Sequence, residues 1–261
     1  MSAPTAGSKA AWAVSDTLLL TWRNLVHYVR VPQLIAFAVI QPIMFTLLFA
    51  YVFGGAIATP NGNYVDFLIP GVIVQTVIFG SMQSGVNIAE DTQKGIMDRF
   101  RSLPIARGTV LAARTLSDTL RHTVSVFIMA GVGFLIGYRF HGTLGDALLA
   151  LGLTILVGLS FSWIACTIGL MVRDTQTAEI AGFTWVFPVV FASSIFVPVA
   201  TMPAWLRAFA THSPITLAAD AVRAWSLHTP VGDAAWQAAL WCAGIIAVFA
   251  TLAVWRFRRL T

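Results

Sequence analysis

The chain has 261 residues, 57% of them hydrophobic and 10% charged, with a mean hydropathy of +0.79. A soluble domain carries roughly a quarter charged residues, and a water-soluble globule of this length cannot cover so much apolar surface with so few charges. The net charge of +5 sits in short segments between apolar blocks, which points to attraction for a membrane surface rather than for nucleic acid.

In chain order, residues 16–30 come first. Leu18, Trp22, Leu25 and Val29 share one helical face, with Asp16, Arg23, His27 and Arg30 opposite. Ser15 or Asp16 is placed to cap this helix. It either lies in the cytoplasmic headgroup layer, tryptophan side down, or packs on a protein partner. Residues 1–33 are read as a cytoplasmic tail plus this interfacial helix. The first strong apolar run starts only after residue 30, and no small-residue cleavage site follows a short apolar core, so a cleavable signal is not expected.

A membrane-crossing helix needs about 20 mainly apolar residues. Six stretches approach or meet this: 34–53, 67–89, 123–138, 147–172, 178–199 and 236–255. The third is short and borrows residues from the Arg114–His122 approach. Only Arg173 to Thr177 separate the fourth and fifth, which forces a tight antiparallel hairpin. The expected fold is an all-α integral membrane domain of six transmembrane helices over residues 34–261. Of 16 lysines and arginines, only Arg139, Arg207 and Arg223 fall outside the segments that are cytoplasmic if both termini are inside. The positive-inside rule therefore sets both ends in the cytoplasm.

The second stretch carries Gln75, Thr76, Gly80, Gln83, Ser84 and Asn87 at three-, four- and seven-residue spacings. An amide facing lipid would lack partners, so this face meets another helix, a dimer partner or a watered path. The segment EDTQKGIMDRFRSLPIAR, 90–107, follows as the most charged part of the chain. Asp91 to about Arg99 reads as a surface helix with Ile96, Met97 and Phe100 as its apolar face, limited by Pro104 at Leu103. It is either a docking knob for another protein or a solvated connector. Gly133 and Gly137 form a GxxxG read as a packing feature.

Glu179 and Arg173 are read as a structural ion pair rather than a proton relay, because no expected span centre holds an ionisable group. The fifth stretch adds Thr184, Pro188, Ser193 and Ser194, with Phe183, Phe187 and Phe191. Residues 200–235 exceed a minimal connector and include Trp205, Leu206 and Phe209; they read as an outer gate or a plain cap. Cys166 and Cys242 lie in apolar stretches without metal-ligand spacing, and His141, His212 and His228 are scattered. No H-E-x-x-H, G-x-S-x-G or convergent carboxylate pair is present.

The run from Tyr64 to Arg114 resembles the signature region of the ABC-2 type permease family. The resemblance rests on Pro70 and Gly71 at the start of the second span, on Glu90, Asp91 and Gly95 at its exit, and on Leu103, Pro104 and Arg107 beyond. The stretch with Pro203, Trp205, Leu206, Pro214 and Arg223 is similar to the family's daunorubicin-resistance-type branch, and WRNLVHYVRVPQ with Pro42 fits as well. Many relatives have an acid-arginine-glutamate run where this chain has EDTQK, so Glu90 and Asp91 remain alternatives for the principal contact.

The resemblance implies a permease subunit that pairs with a second permease chain, identical or homologous, and with two nucleotide-binding subunits in the cytoplasmic membrane. It implies a coupling helix between spans two and three, with Glu90, Asp91, Gly95, Phe100, Arg101, Leu103 and Pro104 transmitting to the ATPase. It also implies short external helices between spans five and six. Spans two and five border the route in that family, which assigns Gln75, Phe79, Gln83, Asn87, Phe183, Phe187 and Phe191 to the pathway or dimer interface. The cargo class is drug, lipid or glycolipid, with polysaccharide or lipid-linked polymer as the alternative.

Neither Lys9 nor Lys94 belongs to a G-x-x-x-x-G-K-[ST] loop, so Mg-ATP is expected on the partner ATPase and no cofactor on this chain. An intramembrane lipid-modifying enzyme would need a nucleophile or acid–base pair that the spans do not offer. A secondary transporter would show repeated halves and midplane coupling groups.

Overall fold

The computed structural model describes residues 19, 21–22, 32–55, 57, 63–95, 107–172 and 174–259, and all regular structure among them is helical. Helix α1 spans Pro32–Leu47 and runs on as a π-helical turn over Leu48–Phe53. Helices α2 (Tyr64–Gln93), α3 (Arg107–Ile136) and α4 (Leu144–Met171) follow. Helix α5 (Thr175–Phe191), a 3-10 turn (Val199–Thr201), and the short helices α6 (Ala204–His212) and α7 (Pro214–Ser226) lead to α8 (Ala234–Arg259).

Local chemistry fixes the starts. The Asn63 side chain accepts from Val65 N and donates to Asp66 Oδ2 at 2.8 Å, capping α2. Thr143 and Asp146 form a reciprocal capping box on α4. Asp174 accepts from Thr177 N at 2.7 Å to start α5, and Pro214 occupies the first turn of α7, where a missing N–H costs nothing.

Helices α2, α3, α4 and α8 are long and apolar enough to cross a membrane, and Ile40–Phe53 is a shorter apolar helix. Helix α2 is the axis of the bundle: 83% of its most apolar window is buried, against 22% for α3 and 17% for α8. Lipid tails are as apolar as leucine, so close backbone approach has to hold such helices together. The α2–α4 crossing shows it. A Cβ on Gly85 would fall 2.4 Å from the Ala165 carbonyl oxygen, and one on Gly169 would fall 2.3 Å from the Gly85 oxygen. Nearer the start of α2, Leu68, Ile69, Val72, Val77 and Ile78 are fully buried.

Two expectations about the spans change, and a third is extended. Helix α3 begins at Arg107, so the Arg114–His122 approach that the third span was expected to borrow is helical throughout, with Arg114, Asp118, Arg121 and His122 facing inward. These ionisable groups fall in the first half of Ala113–Ile136, whereas the expectation concerned span centres. Helix α5 stops at Phe191 instead of 199. Pro188 removes an N–H from its last turn, and the chain tightens as Ser193 N and Oγ both turn to Val190 O. The Gly133–Gly137 pair is not one contact surface: Gly133 meets Ile69 of α2, while Gly137 lies past the helix with φ +107°.

The expected short helices between the fifth and last spans are α6 and α7. The interfacial helix over 16–30 lies almost wholly outside the described residues, as does Arg173, the expected partner of Glu179.

Candidate functional site: the α2 axis and its two ends

Helix α2 offers three candidate regions, and its exit toward the charged 90–107 segment is the first. Glu90 pairs with Lys94 one turn on, and this hydrogen bond and charge raise the Lys94 pKa above its ordinary value. Asp91 lies 3.6 Å from Arg114 of α3. Gly95 has φ +63° and donates its N–H to Thr92 O, so it ends the helix in a left-handed conformation that favours glycine. Of the expected coupling residues, Glu90, Asp91 and Gly95 are thus brought together at the end of α2. Phe100, Arg101, Leu103 and Pro104 lie outside the described residues.

The second region is the middle of α2 against α5. Phe79 stands 5.9 Å, centroid to centroid, from both Phe183 and Phe187. Phe187 stacks on Phe191 at 4.7 Å, and Phe191 on Phe196 at 5.0 Å. Phe196 stacks in turn on Phe49 of the π-helical turn at 4.2 Å. All four expected phenylalanines therefore belong to one aromatic ladder, and Phe187 is 41% exposed within it.

The expected polar face of α2 divides. Gln83 donates to Asn87 Oδ1 at 2.8 Å on the half-buried side. Thr76 turns back to Val72 O, and Ser84 is buried toward α3 and α4. Gln75 is fully buried, and its amide has no hydrogen-bond partner among the described residues.

The third region is the far end of α2, where the Pro70–Gly71 pair sits. Pro70 lacks the N–H that Asp66 O would accept, and one carbonyl further Phe67 O accepts from Arg223 Nε of α7 at 2.9 Å. A Cβ on Gly71 would lie 2.8 Å from Ile195 O, so the chain leaving α5 presses directly on the α2 backbone. Arg223 also donates to Ser194 O at 3.1 Å and pairs with Asp220, which accepts from Ser194 Oγ at 2.9 Å. Tyr64 donates to Phe196 O at 2.8 Å. Nearby, His228 Nδ1 lies 3.0 Å from Asp146 Oδ2 of the α4 capping box.

A cluster not anticipated from the sequence fills the space between α2, α3 and α4. Ser84 Oγ donates to Asp118 Oδ2 at 2.7 Å and lies 3.5 Å from Ser162 Oγ. Arg121 donates to Gly80 O at 2.5 Å, to Ser84 Oγ at 3.2 Å and to Asp118 Oδ1 at 3.0 Å. Arg114 donates to Ser84 O at 2.6 Å. His122, fully buried, places Nε2 3.3 Å from Ser162 Oγ. The signal was present: residues 114, 118, 121 and 122 recur at the four-, seven- and eight-residue spacings of one helical face.

The all-helical architecture of the described residues, with four helices of membrane-crossing length knit by backbone contact and buried polar groups, is that of a multi-pass membrane protein. The chain belongs to the ABC-2 type transporter family, whose model matches residues 15–226. It is 35% identical over 251 residues to the daunorubicin resistance ABC transporter permease protein DrrB1 of Streptomyces coeruleorubidus, covering 95% of this chain and 88% of that one. It is 25% identical to the probable doxorubicin resistance ABC transporter permease protein DrrC of Mycobacterium tuberculosis, over 98% of this chain and 93% of the relative. A putative transport permease, ycf38, of Pyropia yezoensis is 26% identical over 80% of this chain and 73% of its own length.

Proposed function

We propose that the chain is the transmembrane subunit of an ATP-driven exporter that moves a flat, amphipathic aromatic compound of the doxorubicin and daunorubicin kind out of the cell. The observation that carries this reading is the aromatic ladder of Phe79, Phe183, Phe187 and Phe191, part-exposed beside the Gln83–Asn87 pair. Stacking faces with an adjacent amide suit a fused-ring drug with polar edges. Two relatives that cover nearly the whole chain carry daunorubicin and doxorubicin resistance in their names, which supports the same cargo class.

Energy comes from a separate ABC ATPase that binds Mg-ATP, since this chain has no phosphate-binding loop. The ATPase docks on the 90–104 segment, where Glu90, Asp91, Gly95, Phe100, Arg101, Leu103 and Pro104 receive it. A second permease chain completes the route. Both termini face the cytoplasm, as the lysine and arginine placement supports. Nucleotide-driven closure of the ATPases converts an inward-opening cavity to an outward-opening one through contacts that differ between the two states. The experiment is purification of the membrane complex from its native host. A co-purifying ATPase with vanadate-sensitive hydrolysis is expected, and a chain that purifies without any nucleotide-binding subunit overturns the reading.

A further inference from the structure

The cluster on α3 has a role that the docking segment and the aromatic ladder leave unassigned. Two arginines each donate to a main-chain carbonyl in the middle of α2, Arg121 to Gly80 O and Arg114 to Ser84 O. Helical carbonyls already accept from the N–H four residues on, so these bonds are additional. They tie α2 to α3 at two points one helical turn apart.

Asp118, only 3% exposed at its side chain, neutralises Arg121 at 3.0 Å and is itself held by Ser84 Oγ. Asp91, at the mouth of the docking segment, lies 3.6 Å from Arg114. Ser84 and His122 both reach Ser162, which brings in α4. Toward the far end the same face of α3 turns apolar, with Val126 and Met129 buried. Buried ionic groups inside a crossing helix are costly and are kept where they do something. A tight shared set of charge-assisted bonds makes two discrete arrangements rather than a continuum.

We propose that Arg114, Asp118 and Arg121 form the transmission lock that carries a displacement at the exit of α2 into α3 and α4, and so to the aromatic face. They are positioning residues for transport. The inference rests on the proposed docking of the ATPase at that exit, and it adds the groups through which the push is delivered.

The test uses the full complex with its ATPase in nanodiscs and proteoliposomes, comparing wild type with Asp118→Asn, Arg121→Gln, Arg121→Lys and Ser84→Ala. Two readouts are taken. One is doxorubicin moved per ATP hydrolysed; the other is the change in hydrogen exchange of residues 193–213 on trapping nucleotide with vanadate, which needs no cargo. Asp118→Asn and Arg121→Gln are expected to lower transport per ATP about tenfold or more and to abolish the exchange change while hydrolysis continues. Arg121→Lys, which keeps the charge and loses the fork, retains part of both. Ser84→Ala leaves no buried charge unpaired, folds, and loses about threefold in transport per ATP.

If Asp118→Asn or Arg121→Gln does not assemble, Ser84→Ala and Arg121→Lys decide the matter. Assembled variants with the wild-type exchange change overturn the proposal, as does a wild-type complex in which trapping nucleotide changes nothing at 193–213. A wild-type complex that shows the exchange change without moving doxorubicin fails the cargo reading alone, and the exchange data still judge the lock.

Discussion

Arg223 of α7 lies with its guanidinium carbon 3.7 Å from the centre of the Phe67 ring while its Nε donates to the Phe67 carbonyl at 2.9 Å. One side chain thus engages both the ring and the backbone of a single α2 residue. Through Ser194 O and Asp220 it also fixes the turn that follows α5. Arginine is suited to this because its planar fork stacks and donates in several directions at once.

Arg223→Lys keeps the charge but loses the fork. Asp220 is partly exposed, which discounts the ion pair, so the expected loss is about 1–3 kcal/mol. It is read as a lower thermal unfolding midpoint in detergent. Arg223→Gln falls further, because Asp220 then loses its counter-charge. An unchanged midpoint for both removes the residue from the account of the far end.

Gly85→Ala or Gly169→Ala should force the α2 and α4 backbones apart at their crossing. The expected cost is about 1–3 kcal/mol, or failure to accumulate in the membrane. Gly152→Ala is the control on α4, since a Cβ there meets nothing within 4 Å. It is expected to be neutral or stabilising by up to about 1 kcal/mol. Equal effects at positions 85 and 152 contradict the crossing geometry.

Gln75→Leu removes a buried amide that has no partner among the described residues. Replacing such a group by an apolar one of similar size stabilises by about 1–2 kcal/mol. The check is a raised unfolding midpoint; a lowered one means that the amide is satisfied in the membrane-embedded protein.

At the start of α5, hydrogen bonds from the Thr177 side chain and backbone hold the Asp174 carboxyl below the usual carboxylate range. A lowered folded value means that the cap is fully effective above the unfolded pKa and is lost as pH falls through the folded one. Hydrogen exchange in the first turn of α5 should therefore accelerate, relative to the intrinsic rate, only at strongly acidic pH. Asp174→Asn, which still accepts from Thr177 N, should lack that dependence.

Composition made the membrane class legible, and apolar runs located the helices because lipid demands long unbroken stretches. Charge counting, however, places Arg114 and Arg121 among the cytoplasmic segments, at the approach to the third span. Their charges are neutralised and hydrogen-bonded inside the bundle, which hydropathy does not register. The stop of α5 at Phe191 was equally hidden, since apolar residues continue to Val199 while Pro188 and Ser193 change only the backbone. At the site, Phe79, Phe183, Phe187 and Phe191 follow helical periodicity and were legible as a face. The partnering of Ser84 with Asp118 depends on a contact between distant residues and was not. Pro70, Gly71 and Arg223 were visible as motif positions, and only the fold supplied their physical reason.

Phe187→Ala opens the exposed rung of the ladder without removing a buried core group. It is expected to raise the half-saturating doxorubicin concentration about 3–10-fold with little change in maximal rate, as for lost stacking that acts equally on bound and moving cargo. An unchanged half-saturating concentration together with an unchanged maximal rate would place Phe187 outside the drug route.

The central claim is most directly tested by ATP-driven doxorubicin movement in proteoliposomes holding this chain and its co-purified ATPase, with the ATPase side outward. The account predicts accumulation of doxorubicin in the lumen that requires Mg-ATP, stops with vanadate and is lost in Arg121→Gln. Hydrolysis at the normal rate with no ATP-dependent accumulation would contradict it.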